Sequence, residues 1–398
     1  MKQRFGKKYF YAYKFLNDCL PIYALYAILF TEKGLSLTQI SLLFSFWSFI
    51  AVVSEIPSGI LADRWNRKYM LFAATVLKAV CFIVWSFSGT FLIFALGFVF
   101  WGIAESFRSG TEEGLLYDNL KSENKEFDFI NIYGRGRFYS SLGALIGVVS
   151  GGILANFFKI GTLSIASAIV VVVNLFFISK LKEKNYYSER LEKENINFLK
   201  TFSDAIKICL KNKKILFGLM LLVFIIGIAS YADEYDPLII NDFGLGYIWL
   251  SIIFGIRFLF TAAGNHFASA VNQKITAKNK VFILSGISGL LLLVFSIIWN
   301  HYVLLIFGLH CMAMTIVEVT QIDIIQNEIN EEGRTTVMSI LGFLQNLAMI
   351  VFCSIIALLL NSYSLRMCFV IISIYCIAGI IIAFFVNAAM KKSLGDHK

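Results

Sequence analysis

Apolar runs of about twenty residues alternate with short polar segments along the whole chain, and a helix of about 20 apolar residues is long enough to cross a bilayer. The runs therefore predict membrane-spanning helices. The predicted spans are 9–30, 38–61, 69–88, 91–114, 137–157, 161–180, 215–240, 246–270, 281–299, 302–325, 336–360 and 365–389. The fold class that follows is an all-α membrane protein with twelve transmembrane helices.

The composition excludes a soluble protein, because 58% of the residues are hydrophobic and only 15% are charged. The net charge of +9 does not indicate a nucleic-acid partner, since the basic residues are spread over short segments between apolar runs. The seven cysteines form no C-x-x-C pair, so neither a disulfide framework nor a metal site is predicted. No cofactor is indicated.

The distribution of Lys and Arg predicts the topology. The segments on one side of the predicted spans carry 26 of these residues, whereas the other side carries only Lys33, Lys159 and Arg366. Cationic residues are enriched on the cytoplasmic side of a membrane. The sequence therefore predicts a multi-pass protein of the cell membrane with both termini in the cytoplasm.

The longest polar interval divides the chain into three predicted parts. These are an N-terminal six-helix bundle at 1–180, a cytoplasmic linker at 181–214 and a C-terminal six-helix bundle at 215–398. Apolar residues recur at helical spacing within the linker and predict an amphipathic helix on the membrane surface, although a solvated linker explains the same pattern. These residues are Phe198, Leu199, Phe202, Ile206, Cys209 and Leu210.

Two local repeats suggest that the halves are related. GRGRFYSSLGAL at 134–145 and GRTTVMSILGFL at 333–344 match at six of twelve positions. Asp18 precedes Pro21 by three residues inside an apolar run, as Glu234 precedes Pro237. Both matches relate a span to the sixth one after it. They predict two pseudo-symmetric six-helix bundles, an architecture whose transport sites lie at the interface of the repeats.

The segment between spans two and three, GILADRWNRK at 59–68, combines a glycine, an acid and a cationic turn. Its key positions are Gly59, Asp63, Arg64, Arg67 and Lys68. An ordinary cytoplasmic loop would account for the cations but not for the glycine and the acid. The segment resembles the loop signature of the major facilitator superfamily, which usually has glycine where Asn66 stands. The resemblance implies the major facilitator fold and makes Asp118, at the end of span four, the candidate partner of the loop arginines.

Span five contains small residues at intervals of four, which allow helices to approach closely. The glycines are Gly143, Gly147, Gly151 and Gly152. Their spacing resembles the antiporter signature of the superfamily, with Val148 in place of proline, and favours export. Small residues at this spacing also occur in other helical membrane proteins. The strings SEIPSG at 54–59 and SGTEEGLLYD at 109–118 resemble a bacterial branch that includes many drug exporters.

Charged residues inside predicted spans are costly, so each is expected to be paired, facing water or functional. Glu105, Arg108 and Glu112 fall at i, i+3 and i+7 of span four, which predicts an internal salt bridge plus one carboxylate left to titrate. The resemblance implies that spans one, four, seven and ten line the transport cavity. The candidate proton or substrate residues are Asp18, Glu105, Glu112, Glu234 and Glu318, with Arg108 and Arg257 as counter-charges. Structural pairing near a helix end is the alternative for each acid.

Other residues inside the spans receive weaker predictions. Glu113, Asp236 and Asp323 are interpreted as interfacial. Lys14 and Lys78 are expected to extend towards the interface and are given no role. Four aromatic residues could line an apolar, cation-accepting cavity, or simply pack: Tyr23, Tyr26, Trp47 and Trp101.

The sequence thus predicts a secondary transporter, not an enzyme, that exports an amphipathic organic compound by alternating access. No G-x-x-x-x-G-K-[ST] loop is present, so the expected energy source is an ion gradient, with the proton as coupling ion. The expected partners are a small-molecule substrate and the lipid bilayer, and the protein is expected to act as a monomer. Two alternatives stay open: uptake of a small metabolite by proton symport, and a non-transporting receptor or scaffold.

Overall fold

A computed structural model describes residues 6–87, 89–183, 207, 210, 212–228, 232–274, 279–327 and 334–395, and these residues form helices joined by short turns, without a strand. The α-helices of the first part are α1 Lys7–Asp18, α2 Tyr26–Glu32, α3 Leu37–Arg64, α4 Arg67–Ser86, α5 Phe91–Arg108, α6 Thr111–Ser122, α7 Phe129–Leu154 and α8 Ile160–Lys180. Those of the second part are α9 Lys213–Leu221, α10 Asp236–Asp242, α11 Tyr247–Lys274, α12 Lys280–Ile298, α13 Leu304–Asn327, α14 Arg334–Leu359 and α15 Leu365–Gly395.

Ten helices in the described parts of the chain are long and apolar enough to cross a membrane, against twelve predicted spans. The predicted spans 9–30 and 215–240 are not among the ten; the first is divided into shorter pieces, and the second contains residues 229–231, which lie outside the described residues. The first consists of α1 and α2, and the second passes through a π-helical turn at Leu222–Ile226 and a 3₁₀ turn at Ala232–Tyr235 before α10.

The two repeated acid-proline sequences coincide with the interruptions. Helix α1 ends at Asp18, three residues before Pro21, and Pro237 occupies the first turn of α10. Proline has no backbone N–H and disfavours a helical conformation in the residue before it, so it is tolerated at a helix start but not in a helix interior. The motif that suggested an internal repeat therefore also marks where both predicted spans are broken.

The predicted fourth span is also not a single helix. Helix α5 ends at Arg108, and α6 begins at Thr111 after Gly110, whose φ of 68° is left-handed. Glycine adopts this conformation without the steric cost that a side chain would bring. The prediction that Glu105, Arg108 and Glu112 share one face of a continuous helix is therefore wrong, because Glu112 lies in the first turn of α6.

The described chain divides into two compact units: Met1–Phe198 with Leu245–Gly255, and Leu199–Gly244 with Ile256–Lys398. In the first unit, α4 packs against α5 and α8, α3 packs against α5, and α1 packs against α7 and α8. In the second unit, α12 packs against α13 and α15. The division at 181–214 stays a prediction, since 184–206, 208, 209 and 211 are outside the described residues, and with them most of the predicted amphipathic helix at 198–210.

The four glycines of span five lie where α7 approaches other backbone closely. A methyl group on Gly143 would overlap Phe15, one on Gly147 would overlap Leu20, and one on Gly151 would overlap Pro21. These glycines allow α7 to contact the last turn of α1 and the segment between α1 and α2. Gly152 similarly faces the first turn of α11, at Ser251.

The two ends of the first unit carry the cations in the groups that the topology predicts. Lys33 and Lys159 line one pocket of about 570 Å³, so they lie at the same end. Arg67 pairs with Asp118, and Lys7 with Asp128, in the segments assigned to the other side. Which end faces the cytoplasm stays a prediction.

Candidate functional site

Glu112 is the centre of a buried cluster between α1 and α6. Its side chain accepts hydrogen bonds from Lys14 Nζ at 2.5 Å and from the Tyr13 hydroxyl at 3.1 Å. Lys14 is 5% exposed and Glu112 is 2% exposed. The sequence suggested that Lys14 extends towards the interface, but its side chain is buried against Glu112. It supplies the positive charge that compensates a buried carboxylate.

Arg108 connects this cluster to Glu105. Its Nη2 and Nε atoms donate to the same Glu105 oxygen at 2.6 and 3.1 Å, and its Nη1 atom lies 3.7 Å from Glu112. Both carboxylates predicted for span four are thus ion-paired, and neither is left without a cation. Arg108 is the shared charge, held tightly by one acid and more loosely by the other.

Lys78 of α4 is the other cation near Glu105. Its Nζ atom lies 3.8 Å from Glu105 Oε1, donates to the Asn17 carbonyl at 3.3 Å and sits 5.7 Å from the centre of the Trp101 ring. Lys78 is 6% exposed. We call Lys14, Glu112, Arg108, Glu105 and Lys78 the charge network. It joins residues from α1, α4, α5 and α6.

Sequence reasoning missed both lysines of the charge network, although a signal for Lys78 exists. This residue lies eleven positions after the first residue of the 20-residue helix α4. At 1.5 Å per residue it is roughly 16 Å from the first residue of the helix and roughly 12 Å from the last, farther than a lysine side chain reaches. No comparable signal exists for Lys14, because its burial depends on packing of α1 against α7 and α8.

Asp18 has neutral partners. Its two carboxylate oxygens accept hydrogen bonds from the Asn17 side-chain amide, at 2.9 Å, and from the Ser140 hydroxyl of α7. The acid of the first acid-proline motif therefore links the C-terminal end of α1 to α7. It does not form an ion pair with a described residue of the charge network.

A cluster of aromatic residues adjoins the charge network, and the four aromatic residues singled out in the sequence belong to it. The Trp101 ring lies 6.4 Å from Tyr23, 5.9 Å from Tyr26 and 6.2 Å from Trp47 between centroids. Trp101 also donates from its indole N–H to Glu105 at 3.4 Å. The indole N–H of Trp47 is buried and has no acceptor among the described residues. The cluster thus joins apolar rings to a charged edge and an available donor.

In the second unit, Asp236 forms an ion pair with Arg257. The distance from Arg257 Nε to Asp236 Oδ2 is 2.7 Å, and Asp236 is 0% exposed. Asp236, interpreted as interfacial, is thus buried inside the protein, and its depth in the membrane stays a prediction. Burial next to the guanidinium follows from its position in the first turn of α10, inside the predicted seventh span.

The other titratable residues singled out in the second unit differ in their exposure. Glu234 and Glu318 are both partly buried, whereas Asp323 is exposed, as expected for an interfacial residue. His310 is buried and contacts the Ser288 hydroxyl at 2.9 Å.

The loop signature forms a junction of α4, α6 and α8. Arg67 Nη1 donates to Asp118 at 2.6 Å, and Lys68 Nζ donates to the Ser179 carbonyl at 2.6 Å. Asn66, at the position where the superfamily usually has glycine, caps α4 with its side chain. The side chains of Asp63 and Arg64, and the surroundings of Gly59, lie outside the described residues.

Glu183 completes this junction and was not singled out in the sequence. Its carboxylate accepts hydrogen bonds from the backbone N–H groups of Arg67 and Lys68 at 2.8 and 2.9 Å. Burial raises the pKa of this carboxyl, and the two hydrogen bonds act in the opposite direction. An acid just after a predicted span gives no sequence signal for such a cap, because its partners are distant in the chain.

The helices, the buried charges and the apolar surface define a polytopic membrane protein with a polar site inside a helical unit. Residues 15–353 match the model of the Major Facilitator Superfamily. The chain belongs to this superfamily and is a multi-pass membrane transporter. An uncharacterized MFS-type transporter of Methanocaldococcus jannaschii is 27% identical over 227 residues, which are 54% of this chain and 56% of the relative. This match spans about half the length of the curated relative.

Solved structures support the same fold. The nucleoside transporter NupG superposes with a TM-score of 0.73 at 14% identity, covering 97% of this chain and 99% of that chain. A POT family transporter in complex with 5-aminolevulinic acid gives 0.72 at 13% identity, covering 96% and 95%. A D-xylose–proton symporter gives 0.72 at 12% identity, covering 95% of both chains. At these identities the similarity shows the major facilitator fold alone.

Proposed function

We propose that the protein exports an amphipathic organic compound in exchange for protons, by alternating access. The observation that carries this proposal is the charge network of Lys14, Glu112, Arg108, Glu105 and Lys78 inside a membrane-spanning unit. Ionisable groups are rare within membrane helices and mark ion and substrate pathways. A proton that neutralises one carboxylate of the network would release a cation and so change the site.

The aromatic cluster supports an amphipathic substrate. Tyr23, Tyr26, Trp47 and Trp101 provide apolar ring surfaces, and Glu105 provides a negative charge at their edge. A ligand with a ring and a polar group would contact both kinds of surface. The free indole N–H of Trp47 gives such a ligand one hydrogen-bond donor.

The glycine stripe of α7 supports export as the direction. Gly143, Gly147 and Gly151 resemble the antiporter signature and pack on the last turn of α1 and the segment after it. The acids proposed to carry the proton are Asp18, Glu105, Glu112, Glu234 and Glu318, with Arg108 and Arg257 as counter-charges. Under this proposal, both termini face the cytoplasm, the protein lies in the cell membrane and a monomer is sufficient for transport.

The test is transport by purified protein in liposomes, with an imposed pH gradient and a panel of cationic, neutral and anionic amphipathic compounds. Export predicts that at least one compound moves opposite to the proton and that a protonophore abolishes the movement. Single amide replacements of the five acids then identify those that matter. If no compound moves under any gradient, the proposal is wrong.

A second candidate is uptake of a small anionic metabolite together with protons. The charge network favours it in one respect, since three cations, Lys14, Arg108 and Lys78, accompany only two acids. The structural neighbour described as a D-xylose–proton symporter shows that the fold also serves symport. The same liposome assay separates the two candidates, because symport moves the compound in the direction of the proton.

A further inference from the structure

A second polar site lies in the first unit, in the pocket of about 570 Å³ that Lys33 and Lys159 line. Its wall combines the last turn of α2, the turn between α7 and α8, the first turns of α8, and Tyr247 at the start of α11, which belongs to the same unit. The charge network and the aromatic cluster, all of whose residues the structure describes, contribute nothing to this wall. The pocket is therefore separate from the candidate transport site.

The pocket has one positive charge in excess. Its charged side chains are Lys33, Lys159 and Glu32. Both lysines are exposed, and neither ammonium group pairs with an acid among the described residues. Glu32 accepts a hydrogen bond from the neutral Tyr247 hydroxyl at 2.7 Å. Two cations and one acid leave a formal charge of +1, which one phosphate diester balances.

An exposed apolar surface begins at this pocket and continues along α8. Phe157, Phe158 and Ile165 line the pocket and are exposed. Further exposed apolar residues follow Ile165 at helical spacing, namely Ile169, Val172, Val173 and Phe176. We call Ile165 and these four residues the apolar stripe, which covers one face of α8 over about 16 Å. Because α8 is long and apolar enough to cross a membrane, the stripe faces acyl chains.

The pocket and the stripe together match the parts of a phospholipid. A free phosphate would contact the lysines but not the stripe, and a lipid without net charge would leave the excess positive charge uncompensated. Basic pockets between membrane helices bind anionic head groups. Asn156 also lines the pocket, and its amide nitrogen donates to the Gly152 carbonyl at 2.7 Å. Its amide oxygen is an acceptor for a hydroxyl of the head group.

We propose that this pocket binds an anionic phospholipid with a single negative charge and a hydroxylated head group, as in phosphatidylglycerol. The phosphate contacts Lys33 and Lys159, a head-group hydroxyl donates to Asn156, and an acyl chain lies along the apolar stripe. The bound lipid joins the turn after α2 to the turn between α7 and α8 and so stabilises the first unit. On the predicted topology it belongs to the outer leaflet.

The first test is thermal unfolding of the full-length protein in detergent with added lipid, because a ligand that binds only the folded state raises the unfolding midpoint. Phosphatidylglycerol should raise the midpoint more than phosphatidylcholine or phosphatidylethanolamine with the same acyl chains. Glycerol phosphate at the same concentration should leave it unchanged. Equal effects of the three lipids would overturn recognition of the anionic head group. An equal effect of glycerol phosphate would overturn the lipid as the occupant.

The second test removes the two lysines. In Lys33→Gln with Lys159→Gln, the concentration of phosphatidylglycerol needed for half of the effect should rise about tenfold or more, because two hydrogen bonds to a charged group are lost. Lys33→Arg with Lys159→Arg keeps both charges and should keep the effect. The matched control is Lys8→Gln with Lys121→Gln, which removes two exposed lysines at the other end of the unit. Equal weakening in the control would indicate unspecific attraction and contradict the site.

A third measurement does not depend on the unfolding midpoint. Native mass spectrometry of the protein with phosphatidylglycerol should show lipid retained by the wild type and by the Lys8 and Lys121 control. The variant without Lys33 and Lys159 should lose most of this bound lipid. Both lysines are exposed and lack acidic partners among the described residues, so this variant should unfold at the wild-type midpoint when no lipid is added. Undiminished retention of lipid in the variant would overturn the proposal.

Discussion

The two units compensate buried charge in different ways. In the first unit, Glu112 has Lys14, Tyr13 and Arg108 as partners, and Glu105 has Arg108, Lys78 and the Trp101 indole. In the second unit, Asp236 is fully buried against Arg257 at 2.7 Å. Shared compensation allows one cation to move between acids while the net charge of the site stays the same. The contact between Asp236 and Arg257 joins α10 to α11 over a short distance.

The difference has consequences for substitution. Removing one partner of a buried ion pair leaves an uncompensated charge and is strongly destabilising. In the charge network the remaining partners can take over part of the interaction. Because Asp236 is fully buried and its contact with Arg257 is short, we expect a large loss of stability when that pair is broken and smaller losses for single changes in the charge network.

The largest effect is expected for Arg257→Met. The variant leaves the buried Asp236 without the guanidinium 2.7 Å away, and breaking such a pair costs about 3–5 kcal/mol. Thermal unfolding of the purified protein in detergent should show a strongly lowered midpoint. The double variant Asp236→Asn with Arg257→Met should recover part of the loss. A single variant as stable as the wild type would remove the contrast between the units.

A smaller loss is expected for Lys14→Met. Glu112 keeps Tyr13 and gains from Arg108, so the cost should be about 1.5–3 kcal/mol, typical of one hydrogen bond to a charged group. The same unfolding assay measures it, with Lys8→Met on the exposed side of α1 as the control. Equal destabilisation by Lys14→Met and Arg257→Met would show that the network does not share its charges.

Gly147→Ala tests whether the charge network depends on the position of α1. The added methyl group would overlap Leu20 beyond the end of α1, and overpacking costs about 1–3 kcal/mol. Gly134→Ala on the same helix has open space at its Cβ and is the matched control. We expect a lowered unfolding midpoint only for Gly147→Ala. Indistinguishable midpoints would mean that the segment after α1 can move without cost.

The smallest effect is expected for Glu183→Gln at the junction of α4 and α8. Because burial raises the pKa of Glu183, the folded state binds its proton more tightly than the unfolded state does. This contribution to stability is present at acidic pH and is lost as the pH rises through the raised pKa. The glutamine does not titrate. We therefore expect the wild type to lose stability relative to Glu183→Gln as the pH rises, and a constant difference would contradict the assignment.

Part of the candidate site was accessible from the sequence. Glu105, Arg108 and Glu112 stand out because charges are rare in an apolar run, and Trp101 was identified as a possible cavity residue. Their partners were not accessible in the same way. Lys14 meets Glu112 across 98 positions of sequence, and Glu183 meets Arg67 across 116. The sequence pattern alone does not show which residues so far apart in the chain come into contact.

The positions of the helix breaks could not be predicted from the sequence either. The Asp18–Pro21 and Glu234–Pro237 sequences were visible as a repeat, but not as interruptions, because apolar residues continue on both sides. Gly110 was likewise visible, yet glycine also occurs inside membrane helices such as α7. Whether a glycine breaks a helix or packs against a neighbour depends on what that neighbour is.

The amino-acid sequence by itself determined that the chain crosses a membrane many times as apolar helices, because hydrocarbon excludes polar side chains and requires every backbone group to be bonded locally. It also specified the cationic loop that contains Arg67 and Lys68, because the residues of that signature are close together in the sequence. Only the tertiary structure decided which charges meet. Ion pairing depends on distances of a few ångströms between atoms of different helices, and these are set by packing, as where Gly147 lets α7 reach the chain beyond α1.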